Sequence, residues 1–166
     1  GTIMADHVVV CAGIWGRLIA EMAGEDLLVM PIDHPLTFFG PYNEFAGTGK
    51  DIGYPLLRDQ GNSAYMRDTG DPTTSEGGMI EWGYYEEKMP RLCHPRDILE
   101  KEQSRLSPSQ RDLDMEQIIE PLERAIELTP ILGELGYDER RSFNGLLQVT
   151  ADGGPSCGES RKVRGL

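Results

Sequence analysis

Between Leu27 and Tyr85 the chain changes texture: short β-prone runs around Leu36–Phe39, Ala64–Arg67 and Met79–Tyr85 are separated by Gly, Pro, Asn and Asp. Runs of that length between breakers read as strands. Their spacing predicts an antiparallel sheet joined by loops, not a repeat of βαβ units. This restricts the chain more than any other feature, because a sheet of that kind needs helices on only one face to close a core.

The segments on either side read differently. His7–Gly13 (HVVVCAG) is a β-branched run ending in small residues, predicted as a buried strand. Ile14, Leu18, Ile19 and Met22 then recur at helical spacing, with Gly24 as a stop. Strand, turn and helix suggest a piece of an α/β unit, although the turn lacks the G-x-G-x-x-G pattern of a dinucleotide site. Asp97–Lys101 predicts a short helix, and LDMEQIIEPLERAIEL a longer one. There Asp114 and Gln117 resemble a capping box, and Ile118, Ile119, Leu122, Ala125 and Ile126 form an apolar stripe. Pro121 removes one backbone donor from it and predicts a kink. RSFNGLLQVT returns as a strand into the glycine-rich ADGGPSCGES. AGTGKD, within the glycine-rich loop 40–53, mimics a phosphate loop. It lacks the earlier glycine, and Asp51 stands where Ser or Thr is needed.

Composition narrows the partners. The 166 residues carry 28 acidic and 16 basic side chains, a net charge of −12 that repels phosphate backbones and anionic lipid. Nucleic acid and membrane are therefore not expected partners. Cys11, Cys93 and Cys157 lie far apart with no C-x-x-C spacing, which predicts neither a disulfide framework nor a zinc site, and fits a reducing cytoplasm. No metal is expected.

Few residues carry legible chemistry. His34, between Asp33 and Pro35 at a predicted strand start, is ordinarily a structural histidine when it has no metal-ligand companions. Tyr65, Arg58 and Arg67 are ordinarily sheet and surface residues. An arginine pair in an acidic protein also suits a substrate carboxylate, which guanidinium matches with two parallel hydrogen bonds. Gly153 and Gly154 permit positive φ and close backbone approach to a ligand, or form a plain turn.

Taken in order, ADHVVVCAGIWGRLIAEMAG, MPIDHP, LLRDQGNSAYMRD, GGMIEWGYYE and FNGLLQVTADGGPSCGES resemble the FAD-dependent amine oxidoreductases. The branch they are most similar to contains dimethylglycine oxidase and the sarcosine and dimethylglycine dehydrogenases. The resemblance implies an α+β chain: an antiparallel β-sheet substrate-binding domain flanked by helices over 31–145. Pieces of an FAD-binding α/β domain would flank it at 1–30 and 146–166. It implies FAD as cofactor, approached by Cys11, Ala12, Gly13 and Trp15 and by Asp152, Gly153 and Gly154. His34 matches the histidine of a P-x-x-H strand and Tyr65 the tyrosine of a Y-x-R strand, both facing substrate and together accepting or relaying a proton. Arg58 and Arg67 are candidates for carboxylate recognition by chemistry alone. Pro35 departs from the family pattern and removes a ladder donor beside His34.

The expected function is oxidation of an N-methylglycine such as dimethylglycine or sarcosine. The chain reads as a central fragment that would not hold FAD by itself. Its partners would be the remaining FAD-binding segments of the same polypeptide and a tetrahydrofolate-binding domain. The rivals are a non-catalytic binding module on the same scaffold, and a glycine or D-amino-acid oxidase. One geometric condition separates the first rival: His34 and Tyr65 must be adjacent and point to one exposed face beside the glycine hinge, and their placement on opposite sheet faces would rule out a catalytic pair.

Overall fold

Strand β1, Val29–Phe39, alternates buried and half-buried side chains along its whole length. That is the signature of a strand with a core on one side. In the computed structural model, which describes residues 1–49, 52–74, 77–86, 90–101 and 108–166, it belongs to a six-stranded sheet. The other strands are β2 (Leu57–Asp59), β3 (Ala64–Asp68), β4 (Ile80–Tyr84), β5 (Gln110–Arg111) and β6 (Phe143–Thr150). Their order is β2-β3-β4-β1-β6-β5. The pairs β2–β3, β3–β4, β4–β1 and β5–β6 run antiparallel. With the helices α1 (Gly16–Met22), α2 (Pro95–Lys101), α3 (Met115–Leu128) and α4 (Ile131–Glu134), this is the expected α+β architecture.

The chain divides into two compact units. One comprises Gly1–Asp33, Arg91–Ser109 and Leu146–Leu166, and the other His34–Pro90 and Gln110–Gly145. Residues 91–109 thus group with the two flanking segments.

In the second unit, one sheet face carries the core. Phe39, Ala64, Met66, Ile80, Trp82 and Tyr84 pack there with Ile118 and Ala125 of α3 and Leu132 of α4. Asp114 caps α3, its Oδ1 accepting the Glu116 N–H at 3.0 Å, and the Gln117 side-chain oxygen accepts from Asn144 Nδ2. Helix α3 continues through Pro121 as one element. Proline at 121 leaves the carbonyl of Gln117 without its usual i+4 donor. The Tyr84 hydroxyl donates to that oxygen at 2.8 Å, so the sheet repairs the helix. Of the predicted stripe, Ile118 and Ala125 are buried and Leu122 and Ile126 pack against the core, whereas Ile119 is half exposed. Pro121 occupies the buried face in its place.

The loop beyond β1 is anchored by two buried carboxylates. Asp68 accepts the amides of Gly53, Tyr54 and Gly70, and Asp71 those of Gly49 and Thr73. The glycine amides of the phosphate-loop mimic are thereby committed to carboxylates. Lys50 and Asp51 lie outside the described residues.

In the first unit, Gly24 at φ +74° ends α1 as expected. The predicted strand at His7–Gly13 does not form: Val8 and Val9 are 54% and 83% exposed, and the segment has no strand pairing. β-Branched residues favour strands because they pack well on a half-buried pleated surface, and this run has no such surface beside it.

Candidate active site

The face opposite the core carries the chemistry. Cross-strand partners share a face, and residues two apart along a strand repeat it. Arg58 opposes Tyr65, Tyr65 opposes Gly83, and Gly83 opposes Leu36, so one row runs from β2 to β1. His34 lies two residues before Leu36 and Tyr85 two after Gly83. Both therefore extend the same face. His34 sits in the middle of β1, and not at the strand start the sequence suggested.

The row brings four of these side chains together. His34 Nε2 lies 2.9 Å from the Tyr65 hydroxyl, a hydrogen bond whose donor is set by the imidazole tautomer. The Tyr85 ring closes the group, its centroid 4.7 Å from that of His34 and 5.7 Å from that of Tyr65. The Arg58 guanidinium stands over Tyr85 at 5.0 Å, within cation–π range. Tyr85 was not among the sequence candidates. The signal available for it was GYY at the end of a predicted strand, where alternation places one tyrosine on each face.

Burial sets the protonation. It holds the His34 imidazolium below its ordinary range, because a half-buried ring loses hydration that the charged form needs. Burial, with the phenol of Tyr85 and the carboxylate of Glu81 nearby, pushes Tyr65 up to about 12. At neutral pH the pair is a neutral imidazole against a neutral phenol. Such a pair can take one proton at the imidazole or pass it between ring nitrogen and hydroxyl.

The two arginines separate. Arg67 donates from Nε and Nη2 to Glu81 Oε2 at 3.1 and 2.8 Å, across the β3–β4 pair. Arg58 has no carboxylate within ion-pair distance among the described residues. Its guanidinium is in contact with the Tyr85 ring instead.

The candidate cofactor residues all fall in the first unit and are described there. Gly13, at φ +52°, opens the single turn Gly13–Trp15. A Cβ there would meet only the Gln148 side chain, at 3.9 Å. Gly153, at φ +73°, has nothing within 4 Å of where a Cβ would stand. The Gly153 amide donates to the Thr150 carbonyl and the Gly154 amide to Asp152 Oδ1. The turn thus satisfies its own amides. What it offers a flat cofactor is close approach, with Cys11 exposed as a free thiol and Ala12 and Trp15 half-buried. These residues fit a contact with FAD through backbone and ring surfaces.

Comparisons with known proteins identify the family of the chain. The DAO family, described as FAD dependent oxidoreductase, matches residues 1–166. Mitochondrial dimethylglycine dehydrogenase of Rattus norvegicus is 25% identical over 164 residues, covering 99% of this chain and 18% of the relative. Mitochondrial sarcosine dehydrogenase of Homo sapiens is 25% identical over 166 residues, covering 100% of this chain and 16% of the relative. The chain thus spans less than a fifth of the length of these relatives. The solved glycine oxidase from Geobacillus kaustophilus superposes with a TM-score of 0.62 at 19% identity, over 99% of this chain and 35% of that one, a likeness of fold. Among the described residues no helix is long and apolar enough to cross a membrane.

Proposed function

Given that this chain belongs to the DAO family of FAD dependent oxidoreductases, we propose that it supplies the substrate-facing sheet of an enzyme oxidising N-methylglycines such as dimethylglycine or sarcosine. One observation carries the reading: His34 and Tyr65 are hydrogen-bonded on the sheet face opposite the core, beside a guanidinium that has no carboxylate within ion-pair distance among the described residues. The condition that would have ruled out a catalytic pair, placement on opposite faces, is not met.

Each residue has a role. Arg58 binds the substrate carboxylate through two parallel hydrogen bonds. The Tyr85 and Tyr65 rings flank the amine. His34 accepts the ammonium proton, directly or through the Tyr65 hydroxyl, and leaves the nitrogen lone pair free to stabilise the cation that forms next. Bound FAD would supply the acceptor for the hydride that leaves the N-methyl carbon. The products are an iminium on the substrate and a proton on His34. Water then hydrolyses the iminium, or its one-carbon unit passes to tetrahydrofolate on a further domain. The cofactor would be held by Cys11, Ala12, Gly13 and Trp15 and by Asp152, Gly153 and Gly154, together with further segments of the same polypeptide.

The test uses the natural polypeptide that contains this segment, with its flavin. Dimethylglycine and then sarcosine are added without oxygen and the flavin absorbance is followed. Bleaching with either supports the reading. A flavin that stays oxidised with both but bleaches with glycine or a D-amino acid overturns the substrate assignment and keeps the family.

A further inference from the structure

Tyr65 and His34 are not on neighbouring strands. β4 lies between β3 and β1, and two strand spacings separate the backbones by about 9.5 Å. Their side chains meet only if nothing rises from β4 between them. The residue at that point is Gly83, the cross-strand partner of both Tyr65 and Leu36. A Cβ built on Gly83 would lie 2.5 Å from Cζ and 3.1 Å from Cε1 of Tyr65, with the hydroxyl closer still. Carbon atoms in contact stand about 3.5–4.0 Å apart. The three nearest atoms all belong to Tyr65. Gly83 is not among the positive-φ glycines, so no turn or strained backbone accounts for glycine here.

We propose that Gly83 is a positioning residue of the His34–Tyr65 pair: its missing side chain is the channel across β4 through which the phenol reaches the imidazole. The contact needs no flavin, while its functional weight rests on the reading above. A glycine within a strand weakens it, and a cross-strand aromatic ring laid over the glycine offsets that weakness. Covering the glycine requires only the ring. Reaching His34 requires the hydroxyl as well, so the two roles can be separated.

The experiment uses the 166-residue chain labelled with nitrogen-15 at histidine. Tyr65→Phe keeps the ring over Gly83 and removes the hydroxyl, which moves the His34 Nε2 resonance and defines the signal of the lost contact. Gly83→Ala is expected to reproduce at least half of that displacement, and Gly83→Ala in the Tyr65→Phe background to add less than a quarter more. An Nε2 resonance unchanged by Gly83→Ala overturns the proposal. A second measurement covers a Gly83→Ala chain too unstable for spectroscopy. In a Tyr65→Ala background the loss in urea midpoint caused by Gly83→Ala should fall to a third or less, because the conflicting ring is gone. An equal loss in both backgrounds overturns the proposal. Failure of the flavin experiment beside a positive result here would remove the amine-oxidase reading and leave the positioning role of Gly83 standing.

Discussion

The Tyr65 hydroxyl reaches Nε2 of His34 at 2.9 Å from a strand two places away in the sheet. The imidazole is held neutral there by burial, so its titration midpoint in the folded chain should fall below 6.5, as read by histidine NMR. Protonation then favours the unfolded chain. This contribution to stability is whole above pH 6.5 and is lost as pH falls toward the folded midpoint. In the flavin-loaded enzyme, kcat/KM should rise with pH along an acidic limb whose midpoint also lies below 6.5. A limb above that value would remove His34 as the base.

The arginines should respond unequally. Arg58→Ala removes the guanidinium that has no ion-pair partner among the described residues and should raise KM for a carboxylate-bearing amine by about ten- to a hundredfold, the worth of a hydrogen-bonded charge. Arg67→Ala breaks a pair with Glu81 and should change KM by less than about threefold. Steady-state kinetics on the two variants decide it, and the reverse ranking would transfer carboxylate recognition to Arg67.

Tyr84 and Pro121 should be coupled in stability. Tyr84→Phe leaves the Gln117 carbonyl without its donor and should cost about 1–3 kcal/mol. In a Pro121→Ala background the residue at 121 regains an N–H for that carbonyl, and the same change should cost less than half as much. Urea unfolding of the four proteins measures the coupling. Equal costs would mean that the Tyr84 hydroxyl does not repair the helix.

Asp71 gives the acid limb. The amides of Thr73 and Gly49 and the Thr73 hydroxyl hold its carboxyl at about 2, below its ordinary 3.8. A depressed carboxyl stabilises the fold fully above its unfolded value and ceases to do so as pH falls through the folded one. Wild type should therefore lose more urea resistance between pH 4 and pH 2 than Asp71→Asn does. Parallel loss in the two proteins would show that the carboxylate is not the linked group.

Much of this was legible in the residues because it depends on local pattern. The strands at Leu36–Phe39, Ala64–Arg67 and Met79–Tyr85 follow from alternation between breakers, and α3 from a stripe and a cap. What failed needed tertiary neighbours. Val8–Val10 have the side chains of a strand but lie exposed without one beside them. Ile119 fits the stripe by spacing, yet Pro121 takes the buried place. For the candidate site, the sequence names His34 and Tyr65, which the fold brings into contact, but the difference between Arg58 and Arg67 depends on Glu81 standing opposite one of them. Gly83 was invisible for the same reason, since a gap has meaning only once its neighbours across the sheet are known.

Pro35 completes the picture of β1. Phe38 bonds through its backbone to Ser142 and Asp138, so even-numbered positions face away from β4 and odd-numbered ones, Pro35 included, face it. Pairing with β4 runs from Leu36 to Phe39, and the next odd amide beyond Pro35, that of Asp33, goes to the Arg91 carbonyl. The tertiary amide of Pro35 has no proton to give, and the pairing with β4 ends beside it, at Leu36. The imidazole that meets Tyr65 thus stands just past the last residue of β1 that is paired with β4, on a backbone position that the proline leaves outside that ladder.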